Sequence, residues 1–197
     1  MNILNLNMKK IRAIGLAGVA RSGKDSFYSI MNDFLPNIGV KTLKFSFAKA
    51  LRLDVREFLF DKTGIDSFTE KNEEKEIIRD FLVAYGTKLM RRIDEDCWIK
   101  KLEKEVLQKI TEGYIPVFTD VRYLNELKWV KNTLNGHIVH ITRINNPPAN
   151  DEEKQNDPLL LSNSDDKYTW YNFVGSEPDY EAVRNVRQLV SNIFDEQ

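Results

Sequence analysis

The seven residues Gly18-Val19-Ala20-Arg21-Ser22-Gly23-Lys24 constrain this chain more than any other stretch. They follow an apolar run, Ile11 to Ala17, and precede a segment in which Phe27, Ile30, Met31 and Phe34 recur with helical spacing. Gly18 and Gly23 permit backbone angles that turn successive N–H groups inward, and a helix start adds partial positive charge at the same point. Lys24 stands where an amine reaches the outer phosphates of a nucleotide. One position departs from the phosphate-loop pattern, because Asp25 occupies the place where a Ser or Thr hydroxyl usually meets Mg²⁺, and Ser26 follows it. Two readings stay open: Asp25 is a hard oxygen ligand for the metal, or it orients Lys24 while Ser26 takes a phosphate. Arg21, inside the loop, presents a fork of donors suited to a phosphoryl group in transfer, with a solvent-facing arginine as the alternative.

The rest of the chain alternates short apolar runs with amphipathic stretches, the pattern of an α/β sheet. Strands are expected at Ile11 to Ala17, Val40 to Phe45, Tyr114 to Thr119, His137 to Thr142 and Thr169 to Val174. Between Lys71 and Ile93, apolar residues every three or four positions draw one helical stripe through Ile77, Ile78, Phe81, Leu82, Tyr85, Leu89 and Ile93. Trp98, Ile99, Leu102, Val106 and Ile110 draw another. At the end, Ser176 and Asp179 resemble a capping box with Pro178 in the first turn of a closing helix. The connection Ile144 to Lys167 is crowded with Asn, Asp, Glu and Pro, so it reads as a long polar loop, either a lid or a surface loop.

A second carboxylate for Mg²⁺ is expected at the end of a neighbouring buried strand, and Val117-Phe118-Thr119-Asp120 supplies one. Asp120 as a simple cap for a helix near Tyr123 is the competing reading. Pro116 fits this strand only at its first residue or ahead of the ladder. Arg122 stands at the same edge, Arg91 and Arg92 end the long helix, and Arg143 ends the fourth strand. With Arg21 they suit a cleft that neutralises the charge of a transferring phosphoryl group, although Arg91 and Arg92 also suit a solvated helix end. His137 and His140 lie three apart in a strand and face opposite ways, which argues against a shared metal. Cys97 beside Trp98 reads as packing.

Composition narrows the function classes. With 29 basic and 30 acidic residues the net charge is −1, and a general nucleic-acid binder is excluded. A single cysteine makes no intrachain disulfide, the N-terminus has no signal-peptide pattern, and the longest apolar run is too short to span a bilayer. A cytoplasmic protein without membrane partners is expected. A chain of 197 residues fits one domain with at most a modest insertion.

Arg21-Ser22-Gly23-Lys24-Asp25-Ser26, Phe45-Ser46-Phe47-Ala48, Tyr85-Gly86-Thr87 with Arg91, Trp98, and Thr119-Asp120-Val121-Arg122 with Asn125-Glu126 resemble, in this order, the deoxynucleoside monophosphate kinases of bacteriophages. The resemblance implies a P-loop kinase fold, a five-stranded parallel sheet flanked by helices, as one domain over residues 1–197. It places a helical monophosphate-binding insertion at about 47–113 and a lid-like loop at about 144–168. It implies transfer of the γ-phosphate of ATP, with Mg²⁺, to a deoxynucleoside monophosphate, in the host cytoplasm for a phage-encoded chain. Lys24, Arg21, Asp120 and Arg122 become the catalytic set, and Gly18, Ser22, Gly23, Lys24, Asp25 and Ser26 the ATP phosphate site. Asp25, Ser26 and Asp120 become the metal set. Phe47, Arg91, Trp98 and Arg122 fall to the monophosphate, and Arg143 is the strand-end or lid cation. A homodimer is compatible with the sequence. A P-loop kinase for dephospho-coenzyme A or phosphomevalonate, and a non-catalytic nucleotide switch, are the rival readings.

Overall fold

The computed structural model describes residues 11–195 apart from 172, 175 and 176. The described chain divides into two compact units, one made of the residues up to Lys44 and from Lys109 onward, the other of Phe45–Gln108.

The first unit is built on a five-stranded sheet in the order β2-β3-β1-β4-β5. Its strands are β1 (Ala13–Ala17), β2 (Thr42–Phe45), β3 (Ile115–Val121), β4 (Gly136–Arg143) and β5 (Asp166–Trp170). β1 pairs in parallel with β3 and β4, and β4 with β5. Parallel strands buried on both faces need apolar residues on both, and all five residues of β1 are buried. Their sizes alternate. Ile14 and Leu16 point into a core with Phe27 and Met31 of helix α1 (Lys24–Phe34) and Val186 and Val190 of α8 (Tyr180–Asp195). Gly15 serves the other face, where a Cβ would lie 2.6 Å from Ile138 and 3.3 Å from Val121. The printed β1–β3 register starts at Val117, so Pro116 sits ahead of the ladder, as a residue with no N–H to donate must.

The second unit is helical. It holds α2 (Phe47–Thr63), α3 (Asn72–Val83), the single turn α4 (Arg91–Ile93) and most of α5 (Cys97–Thr111). Ser46 caps α2 by accepting the Lys49 N–H. Val55, Leu59 and Ile78 form its small core with Leu51, Phe81, Leu82 and Tyr85 around them. The expected single stripe from Lys71 to Ile93 is broken, because Ala84–Met90 winds as a π-helix. Hydrogen bonds five residues apart turn the helix less per residue, so Leu89 and Ile93 leave the buried face and are 50% and 73% exposed.

Three further expectations are corrected in the first unit. The polar segment 144–168 is mostly helix α7 (Asp151–Asn163), capped by Asn150, whose side chain accepts the Glu153 N–H. The fifth strand starts three residues earlier than expected, because polar residues open it: Asp165 accepts the Ile138 N–H, and Asp166 lies 2.7 Å from His137. Helix α8 is capped by Asp179, which accepts the Ala182 N–H, and Pro178 lies before it in β7 (Glu177–Pro178), paired with β6 (Phe173–Val174). Ser176 lies outside the described residues. Helix α6 (Leu124–Lys128) follows β3. Among the described residues no helix is long and apolar enough to cross a membrane.

Candidate active site

The chain leaves β1 through Gly18, whose φ of 125° belongs to glycine and whose absent Cβ would lie 2.3 Å from the Ile141 carbonyl oxygen. Arg21 (φ 61°) and Gly23 (φ 90°) also take left-handed angles, and the indole of Trp170 fills the space a Gly23 side chain would need. The loop therefore closes as a tight turn against β4 and β5. Helix α1 starts without a side-chain cap, so its first-turn N–H groups point to the loop interior, an anion-binding arrangement.

Lys24 is folded into that interior. Its Nζ donates to the carbonyls of Gly18 (2.8 Å) and Val19 (2.6 Å) and to Ser22 Oγ (3.3 Å). Burial, and then the nearby Arg122 cation, lower its pKa from 10.5 to about 8, against the opposing pull of Glu153, Asp120 and Asp25. A cation is thus held in the loop with its charge only partly compensated.

Asp120 and Arg122 lie at the carboxyl end of β3 and just beyond it. Asp120 does not cap the next helix; the buried Glu126 carboxylate does, accepting the N–H groups of Arg122 (2.9 Å) and Tyr123 (3.2 Å). That fixes the backbone of Arg122, and Glu153 of α7 fixes its side chain through a 2.6 Å ion pair. Glu126 appears above only within the family motif, and neither Glu153 nor Asn146, which binds the Ala20 carbonyl, is singled out by the sequence.

The other expected residues are less tightly gathered. Asp25 is 82% exposed and pairs with Lys44 at 2.7 Å, while Ser26 is half-buried. Arg21 and Arg143 are exposed, Arg143 at the carboxyl end of β4. In the second unit, Phe47 is buried and Arg91 donates to the Glu95 carbonyl. Trp98 is 2% exposed and donates to the Gly86 carbonyl at 3.3 Å, so its indole is a bonded part of that unit's interior. Beside it, Tyr85 donates to Asp54 at 2.7 Å, which with burial holds its pKa at about 12. Cys97 is buried. His137 and His140 have separate partners, Asp166 and Asp157.

Residues 49–168, more than half of the chain, match the family Deoxynucleotide monophosphate kinase. The chain belongs to that family. It is therefore a phosphotransferase, and the loop around Lys24 is its nucleotide site. The sequence matches no curated protein. The fold of this family member is similar to that of dephospho-CoA kinase from Campylobacter jejuni, with a TM-score of 0.51 and 14% identity, covering 94% of this chain and 98% of that one. At that identity the likeness concerns the P-loop kinase fold.

Mg²⁺ keeps several waters and needs only one or two protein carboxylates beside nucleotide phosphates. Asp120, Asp25 and Ser26 are hard oxygen donors of that kind, although Asp25 has to leave Lys44 to serve. Among the described residues no three His, Cys, Asp or Glu side chains converge on one point. The donor set fits a metal that arrives with the nucleotide.

Proposed function

We propose that the protein transfers the γ-phosphoryl group of ATP to a deoxynucleoside monophosphate, releasing ADP and the deoxynucleoside diphosphate. The observation that carries this reading is the Lys24 ammonium held inside a tight phosphate loop, in the electrostatic company of Asp120 and Arg122. Phosphoryl transfer asks little covalent chemistry of a protein and depends on positioning and charge neutralisation. Lys24 and the α1 N-terminus hold the ATP phosphates, and Arg21 and Arg122 meet the charge spread over the equatorial oxygens, with Arg143 a further cation at the strand end. Mg²⁺, held through Asp120 and Asp25 or Ser26, bridges and neutralises the outer phosphates when bound. Phe47, Arg91 and Trp98 serve the acceptor, and α7 takes the place of the lid-like loop.

An ADP-release assay across the four common deoxynucleoside monophosphates tests the acceptor, and silence on all four rejects it. Arg91→Ala is expected to raise KM for the acceptor at least about tenfold with KM for ATP unchanged, since a lost charged hydrogen bond is worth about 1.5–3 kcal/mol. An unchanged acceptor KM removes Arg91 from that role.

The low pKa of Lys24 gives the binding a defined pH dependence. Phosphate needs the ammonium, and the free protein loses it as pH rises through about 8. ATP affinity is therefore expected to fall by up to tenfold per pH unit above that value, with Lys24→Ala flat over the same range. The free protein behaves oppositely. Its folded pKa lies below the unfolded 10.5, so the penalty for burying the charge, about 3 kcal/mol, is full below pH 8 and is relieved between pH 8 and 10.5. Titration calorimetry from pH 7 to 9.5 measures the first effect.

A further inference from the structure

Glu153 is the third residue of a helix whose first turn is otherwise acidic and solvated, yet it is only 8% exposed. A carboxylate taken out of water persists only when its charge is paired and its lone pairs are used. Here Oε1 accepts from the Ala20 N–H at 3.0 Å and from Arg122 Nη1 at 2.6 Å, and Oε2 accepts from the Ala149 N–H at 2.9 Å. The Ala20 carbonyl is held as well, by Asn146 Nδ2 at 2.8 Å. Both polar backbone groups of one phosphate-loop residue are thus bound by a segment more than 120 residues away.

The shared oxygen is the informative detail. One atom of Glu153 ties the backbone of the phosphate loop to the guanidinium of Arg122, so neither shifts without the other. A guanidinium carries five donors in a rigid fork, and a bond at one edge leaves the rest to meet phosphate oxygens in a fixed orientation. Arg122 is 42% exposed, so its outer edge is open to a ligand. Ala20 directly precedes Arg21, whose left-handed backbone depends on how its neighbours are held.

We propose that Glu153 is a positioning residue for phosphoryl transfer: it sets Arg122 and the phosphate loop in fixed register, so that the guanidinium meets the transferring group already oriented. The inference rests on the reading of Arg122 as a phosphate-binding cation. Misplacing such a group by about 1 Å costs up to a hundredfold in rate.

The test is a double-mutant cycle of Glu153→Gln and Arg122→Ala, with ATP and the deoxynucleoside monophosphate turned over fastest in the panel. Glutamine keeps an acceptor for Ala20 and loses the charge that holds the guanidinium. Glu153→Gln is expected to lower kcat about 10- to 100-fold, with KM for ATP within threefold and Tm within a few degrees. In the Arg122→Ala background the same change is expected to alter kcat less than twofold, because no guanidinium is left to orient. Equal losses in both backgrounds assign Glu153 a merely structural role and overturn the proposal. So does tighter ATP binding at unchanged kcat, which makes the carboxylate a competitor of phosphate. If Glu153→Gln does not fold, Glu153→Asp, with the same charge and a shorter reach, carries the same comparison. An Arg122→Ala enzyme with wild-type kcat removes the Arg122 reading and the proposal with it, whereas a damaged Arg122→Ala beside an unaffected Glu153→Gln removes only the proposal. If the panel is silent, ADP release from ATP alone provides the same four rates.

Discussion

Lys24→Ala is expected to lower kcat by a hundred- to a thousandfold while the protein stays folded. The rate loss is the usual cost, about 3–4 kcal/mol, of removing one preorganised group aimed at developing charge. Stability is the less obvious part, and it follows from two opposing terms. The substitution removes bonds from the ammonium to the Gly18 and Val19 carbonyls, each worth about 1.5–3 kcal/mol. It also removes a buried cation whose lowered pKa marks a penalty of about 3 kcal/mol at neutral pH. The terms nearly cancel, so Tm is expected to move by no more than a few degrees. Single-turnover rates and thermal unfolding of one preparation check both halves, and a variant within tenfold of wild type removes Lys24 from the chemistry.

Gly18→Ala is expected to have the largest effect on stability of any single methyl added to the loop. At a φ of 125° an alanine is strained, and its Cβ would lie 2.3 Å from the Ile141 carbonyl oxygen. That oxygen belongs to β4, whose ladder with β1 runs through Ala17 and His140, so it cannot retreat without loosening the central pairing. Strain of about 1–3 kcal/mol and overpacking of similar size give a loss of at least about 3 kcal/mol. For a chain of this length that corresponds to a fall in Tm of about 10 °C. Gly39→Ala is the matched comparison, because Gly39 also has a positive φ, 78°, but nothing lies within 4 Å of its missing Cβ. It should cost only the backbone strain, about 1–2 kcal/mol. Equal losses at the two positions would show that crowding against β4 is not what fixes Gly18.

What the sequence made legible was chemistry written in contiguous residues. The turn from Gly18 to Lys24, the strand ending at Asp120 and the alternation of strands with helices each carry their signal within about ten positions. Helix α7 carried no such signal. Its inward positions include Glu153, Asp157 and Leu160, and the two acids are accommodated by bonds to Ala20, Arg122 and His140. A hydropathy pattern reads acids as solvated, and Pro147, Pro148 and Pro158 reinforce the impression of a loop. Glu153 was invisible for the same reason: its partners lie 31 and 133 residues away, and only the closed fold brings them to one oxygen. The start of β5 was missed because aspartates open it, and the stripe along 71–93 failed where the winding changed, which spacing rules at a fixed helical period cannot register.

The π-helical stretch Ala84–Met90 has a consequence for how this chain tolerates length changes. A π-turn holds one residue more than the α-turn it replaces, so removing a residue there lets the helix return to ordinary winding with its ends still joined. The same deletion in α3 or α5 offers no such relaxation. Arg91 begins the turn that follows the π segment, and a one-residue change of phase swings a side chain by about 100° around the helix axis. A single-codon deletion between Ala84 and Met90 would therefore leave a foldable helix and re-aim the arginine at its end, so this stretch is where variation in length converts most directly into variation in what the second unit presents to an acceptor.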